Sequence, residues 1–200
     1  MKSVLISTRP KLVEKICHKI GEDETGKAIY EKRIEVRKTA PKEVPFKCYI
    51  YETKGQYVKF THGAHTKYGY GRGKVIGEFI CDKVEIVNAK CSDYGIDLFY
   101  HDCLTNGCLT EREIEKYFNV PEDRDLRAMK GNGYVWNISD LKIYDKPREL
   151  SEFSRPCSYS GLCFSCKRTS FKKDGNLLCN TKITRPPQSW MRVEDLGEEK

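Results

Sequence analysis

Two hundred residues with 38% hydrophobic content suffice for one main domain, or for one domain with a small appendage. Thirty-six Lys and Arg against 29 Asp and Glu give a net charge of +7, which favours phosphate-bearing partners without specifying a fold. No apolar run approaches the roughly 20 residues needed to span a bilayer. The opening Met1 to Ser7 stretch breaks at Arg9-Pro10 before a signal-peptide core is complete, so the sequence reads as cytoplasmic.

Val4-Leu5-Ile6-Ser7 predicts a short buried strand, and Arg9-Pro10 opens a helix in which Leu12, Val13, Ile16 and Ile20 recur at helical spacing. The acidic, glycine-flanked Gly21 to Gly26 stretch predicts a solvent loop. A strand over Glu31 to Lys38 follows, ended by Pro41 and Pro45, and Phe46 to Tyr51 is a further strand by its aromatic and branched content. From Gly55 to Gly73 the chain gathers glycines, His62, His65, Lys67, Arg72, Tyr68 and Tyr70. This predicts a flexible basic and aromatic loop, either a nucleic-acid contact or an ordinary hairpin tip.

Lys74 to Val87 is the longest strand-like run, either a bent central strand or a hairpin, with Gly77 marking a bulge. Leu109 to Phe118 predicts a helix, because Thr110 with Glu113 three residues on completes a capping box. Tyr134 to Ile138 and Leu141 to Tyr144 are two short strands about Ser139-Asp140. The pattern predicts an α+β domain built on a small, strongly curved sheet or barrel, residues 1–150, followed by a cysteine-rich extension over 151–200.

The Glu31 to Lys38 stretch carries the sharpest functional signal. Strand alternation places Glu31, Arg33, Glu35 and Arg37 on one face and Ile34 and Val36, flanked by Lys32 and Lys38, on the other. Two carboxylates interleaved with two guanidinium groups either neutralise one another on a solvated face or form the start of a site. On the binding reading, Glu35 accepts a hydrogen bond from a base edge, Arg37 and Lys38 engage phosphate or sugar, and Trp136 or Tyr134 stacks. On an enzymatic reading, Lys32 and Glu35 are the catalytic pair, which requires a perturbed lysine in a partly buried cleft.

The last quarter holds Cys157, Cys163, Cys166 and Cys179 in polar, basic sequence with few core formers. Cys163-Phe164-Ser165-Cys166 is a C-x2-C knuckle, and the four thiolates could make a tetrahedral zinc site that orders a segment lacking its own core. A 4Fe-4S cluster is the redox alternative, and free thiols the remaining one. The compartment favours metal ligands or free thiols over disulfides for all ten cysteines. Cys17, Cys48, Cys81, Cys91, Cys103 and Cys108 read mostly as small core residues.

Four stretches together resemble an ASCH domain of the PUA-like superfamily: the N-terminal strand with Arg9-Pro10, the Lys32 to Lys38 strand, Gly73-Lys74-Val75-Ile76-Gly77-Glu78-Phe79, and Gly133-Tyr134-Val135-Trp136-Asn137-Ile138-Ser139-Asp140. The resemblance covers about residues 1 to 147. The tail ending in Arg185-Pro186-Pro187-Gln188-Ser189-Trp190 resembles an extension of phage and bacterial members. What the resemblance implies is a β-barrel with a cleft for RNA or a modified nucleoside, and some small members hydrolyse N4-acetylcytidine. In those hydrolases a Lys, a Thr three residues later and a distant Glu carry the chemistry; Lys32 fills the Lys place, and Glu35 stands where the Thr would be. A lysine and carboxylate pair forms an ion pair more naturally than an activated nucleophile, so a binding module is the leading expectation. An amidohydrolase and a phage-type protein-interaction module, docking through the basic loop and the zinc tail, are the alternatives.

Overall fold

A computed structural model of the chain describes residues 1–62, 65–88, 90–120, 131–157, 169–171, 177–179 and 181–197. In chain order the elements are β1 (Lys2–Thr8), α1 (Pro10–Cys17), β2 (Lys19–Glu22), β3 (Ala28–Tyr30), β4 (Ile34–Arg37), β5 (Phe46–Glu52), β6 (Gly55–His62) and β7 (His65–Gly71). Then come β8 (Val75–Cys81), β9 (Val84–Asn88), α2 (Asp93–Thr105), α3 (Glu111–Phe118), β10 (Asn132–Asn137), β11 (Ser139–Arg148), β12 (Thr169–Phe171), β13 (Leu177–Cys179) and β14 (Trp190–Val193). The fold is mixed α+β with a mostly sheet core.

Two sheets carry it. A five-stranded sheet runs in the order β11-β8-β5-β1-β14, and a three-stranded sheet in the order β4-β10-β9. The expected barrel is not closed. β10 passes into β11 through Ile138, changing sheets at a bulge between Ser139 and Lys142, where Asp140 takes a φ of 46°. That transfer joins the sheets along one side only, and β4 and β14 remain separate edges on the other.

Side-chain alternation explains why both faces of the small sheet are buried. Ile34, Val36, Val87 and Val135 pack with Ile96, Phe99, Cys103, Ile114 and Phe118 of α2 and α3. The opposite face carries Trp136, which packs on Val4, Ile6, Phe46, Cys48, Ile50, Ile76 and Phe79 of the large sheet. Trp136 meets Phe46 edge to face at 5.1 Å and Trp190 at 6.1 Å. The outer side of the large sheet is covered by Phe153 and Ile183 against Leu5, Tyr49, Tyr51, Val75 and Val193.

Several predicted elements differ in extent. The first helix stops at Cys17 because His18 turns extended, and Ile20 lies exposed on β2, which pairs with β3 across the acidic turn. The Glu31 to Lys38 strand contracts to Ile34–Arg37, since the amides of Arg33 and Ile34 donate to Asn106 O rather than to a ladder. The basic, aromatic Gly55 to Gly73 stretch is an antiparallel hairpin rather than a loop. Besides β2, β3, β12 and β13, two larger departures have no counterpart in the sequence reading: α2, whose N-cap Ser92 accepts from the Gly95 amide, and β14, which returns the tail to the edge of the large sheet antiparallel to β1.

Candidate functional site

The unclosed seam between β4 and the β1/β14 edge is where the charged residues gather. A cleft of about 440 Å³ opens there. Ser7, Thr8 and Arg9 line it from the end of β1, Lys32 and Glu35 to Lys38 from the β4 segment, and Glu113, Lys116 and Tyr117 from α3. The three α3 residues are i, i+3 and i+4, one helix face.

Glu35 sits on β4 directly opposite Trp136 of β10, and Arg37 opposite Tyr134. Their side chains therefore point between the two sheets, and only 4% of Glu35 and 6% of Arg37 remain exposed. Arg37 closes the seam: Nη2 donates to Ser7 O at 3.0 Å and Nη1 to Ser189 O at 3.3 Å, while Nη2 also stands 2.8 Å from Glu35 Oε1. A guanidinium fits because its planar fork presents several donors in fixed directions.

Lys32 approaches Glu35 from outside the strand. Its backbone is not extended with β4, so the ammonium reaches the carboxylate three residues on, with Nζ 3.4 Å from Oε2. Nζ also donates to Ile34 O at 2.6 Å and to Gly107 O at 2.9 Å. Lys32 is 1% exposed. The result is a buried Lys–Glu–Arg triad at the foot of the cleft. Burial alone would push the Glu35 carboxyl up, but the Lys32 ammonium and the Arg37 guanidinium outweigh it and hold Glu35 below the usual carboxylate range.

Hydrogen bonding there is incomplete. Among the described residues, five buried side-chain atoms find no hydrogen-bond partner, and three of them are Thr8 Oγ1, Glu35 Oε2 and Arg37 Nε, all on cleft-lining residues. Buried polar atoms are rarely left unpaired without a reason. They are an acceptor, a donor and a hydroxyl that can be either, buried in the floor of the cleft.

Around the mouth, Arg9 Nη2 meets Glu113 Oε1 at 3.1 Å, joining the start of α1 to α3. Lys38 Nζ lies 5.1 Å from the centre of the Tyr117 ring. Lys38, Lys116 and Arg9 give the rim a positive bias, and Tyr117 supplies an aromatic wall.

Of the residues singled out in the sequence, Lys32, Glu35, Arg37 and Lys38 all line the cleft. Tyr134 and Trp136 do not. Trp136 is fully buried beneath the triad, and Tyr134 is half-buried and accepts from Asn132 Nδ2 at 3.2 Å. Glu31 and Arg33 leave the ladder, and Glu31 bonds Lys15 and, at 2.8 Å, His18 Nδ1 on the outer surface. Thr8, Glu113, Lys116 and Tyr117 were not singled out. The i, i+3, i+4 stripe of α3 was visible in the sequence, but nothing local tells which neighbour it faces.

Cys157 is exposed, and Cys179 ends β13, its backbone in register with Thr169 of β12. Cys163 and Cys166 lie outside the described residues. Among the described residues no cluster of His, Cys, Asp and Glu is arranged to hold a metal ion. Cys48, Cys81 and Cys103 are buried core thiols, with burial holding Cys81 and Cys103 up to about 12. Among the described residues no helix is long and apolar enough to cross a membrane.

No protein-family model and no curated protein matches this chain. The crystal structure of the ASCH protein from Zymomonas mobilis does, with a TM-score of 0.50 over 96% of this chain and 88% of that one, at 15% identity. Two single-residue variants of the Zymomonas mobilis protein give the same score at 14% identity, covering 96% and 97% of this chain and 89% and 91% of theirs. At such identity the likeness bears on the fold.

Proposed function

We propose, for a chain with the ASCH fold, that the seam cleft binds a nucleobase of RNA or of a modified nucleoside. The observation that carries this reading is the set of unpaired polar atoms on Thr8, Glu35 and Arg37 at a cleft with a basic rim. A nucleobase edge sets N–H donors beside ring or carbonyl acceptors, the complement of a carboxylate oxygen beside a guanidinium N–H. Glu35, held ionised by its two cations, accepts from the base. Tyr117 offers the ring face, and Lys38 and Lys116 meet sugar or phosphate.

Binding is favoured over hydrolysis by the state of Lys32. Its ammonium donates to Ile34 O and Gly107 O and stands as an ion pair with the Glu35 carboxylate at 3.4 Å. That is the geometry of a structural ammonium, whereas a nucleophile or general base needs a free amine.

A thermal-shift series with the four ribonucleosides, acetylated nucleosides and short RNAs, on wild type, Glu35→Gln and Tyr117→Ala, tests the reading. At least one nucleoside is expected to raise the wild-type Tm, and both substitutions to abolish the rise. A rise that survives both would place the ligand elsewhere, and disappearance of an acetylated nucleoside during incubation would favour the enzyme.

A further inference from the structure

We infer that the β6/β7 hairpin is a stacking platform for single-stranded RNA, extending the grip of the cleft to neighbouring bases; the inference rests on the RNA reading above. In the ladder, Val58 stands opposite Tyr68 and Gln56 opposite Tyr70, so these four side chains share one face of the ribbon. Tyr70 is 70% exposed, and Tyr68 and Val58 are each 48% exposed. Two tyrosines two residues apart on a strand lie side by side, open to solvent, at a spacing that suits successive bases.

The opposite face explains why the platform is held in place. A Cβ on Gly69 would lie 2.5 Å from the Tyr57 ring, and one on Gly71 would lie 1.9 Å from Thr53 O and 2.5 Å from Pro10 Cγ. The glycines thus let the ribbon press flat on Tyr57, Thr53 and the first turn of α1. Lys59 adds an ion pair to Glu14 of α1 at 3.3 Å. Since Gly71 rests on Pro10, the root of the hairpin adjoins Arg9 on the cleft rim.

Charge selects the occupant. From Lys54 to Lys74 the chain carries five Lys or Arg and no Asp or Glu, against an overall excess of seven. Three of the five are ion-paired from outside the ribbon, Lys59 to Glu14, Arg72 to Glu52 and Lys74 to Glu149, so the match rests on open tyrosines in a segment with no acid of its own, which suits a polyanion with exposed π faces such as unpaired RNA. Arg72, at the root, is fixed toward Glu52, which accepts from its backbone amide at 2.9 Å.

Fluorescence anisotropy with a 5′-labelled 12-nucleotide RNA of mixed sequence tests this on the full chain. Tyr68→Ala/Tyr70→Ala is expected to raise Kd at least about tenfold with an unchanged salt slope, and Tyr68→Phe/Tyr70→Phe to leave it within about twofold, because the ring and not the hydroxyl stacks. Equal binding by the alanine variant overturns the platform, as does failure of the wild type to bind the 12-mer at all; nucleoside shifts that persist in either case leave the cleft reading standing. Conversely, tyrosine-dependent RNA binding with no nucleoside shift, in wild type or Glu35→Gln, keeps the platform and removes the cleft. A wild-type dimer in light scattering that the alanine variant converts to monomer assigns the face to a second copy and also overturns the platform.

Discussion

Glu31 and Glu35 lie four residues apart, and each carboxylate meets two basic side chains, yet one pair of partners is on the surface and the other in the interior. Glu31 holds Lys15 and His18 outside α1, both substantially open to solvent. Glu35 holds Lys32 and Arg37 between the sheets, all three nearly sealed. In water the Coulomb energy of a pair is small and salt screens it. Between the sheets the same charges are strongly coupled, and each is costly to leave alone. The difference teaches that the number of partners says little; the medium decides what a carboxylate can do.

The largest expected effect follows from removing one buried cation. Lys32→Met keeps most of the stem's packing and deletes only the ammonium, leaving Glu35 with Arg37 alone and Ile34 O and Gly107 O without their donor. Breaking a buried pair in this way costs about 3–5 kcal/mol. Urea unfolding at neutral pH reads it directly, and a loss under about 1 kcal/mol would erase the distinction between the two carboxylates.

Acid should separate them more gently. Glu35 is held below the carboxylate range in the folded chain, while an unfolded Glu titrates near about 4.3. Its contribution is therefore complete above about pH 4.3 and fades as pH falls through the lower folded value. Glu31, Glu113 and Asp195 are also lowered, so total acid sensitivity does not isolate Glu35. The gap in unfolding free energy between wild type and Glu35→Gln does: it is expected to be constant from pH 7 to 5 and to narrow below about pH 4. A gap that widens on acidification would mean that Glu35 is protonated in the folded chain.

Much of this arrangement was legible in the sequence, and the part that was not has a common cause. β1 and β5 announce themselves by apolar content, and α3 by its Thr110/Glu113 capping box, which forms as expected. Lys32, Glu35, Arg37 and Lys38 were recognisable as charged groups on one short segment, and they meet at one cleft. Their burial was not recognisable, because alternating charges locally read as a solvated face. It depends on β10 laying Trp136 across from Glu35 and on β14 arriving from the far end of the chain to bring Ser189 to Arg37, contacts separated by 101 and 152 residues. β2 and β3 escaped notice for the opposite reason, since Lys19-Ile20-Gly21-Glu22 has a single branched residue and no apolar alternation and is paired only by its turn.

The smallest expected effect is on the outer carboxylate, and it tests the comparison most strictly. Glu31 bonds Lys15, whose ammonium this contact raises above its ordinary range, and His18 at 2.8 Å. By partner count Glu31 is as well supplied as Glu35. If partner count governed stability, Glu31→Gln would cost what Glu35→Gln costs. If the medium governs it, Glu31→Gln should cost no more than about 1 kcal/mol, the range of exposed pairs, and the cost should shrink further in 1 M salt. A double-mutant cycle of Lys15→Met with Glu31→Gln removes the contribution of the backbone, because the amide of Glu31 donates to His18 O in every variant. A salt-insensitive coupling of several kcal/mol would show the outer cluster to be as sheltered as the inner one, and the site would then have to be sought on both sides of α1.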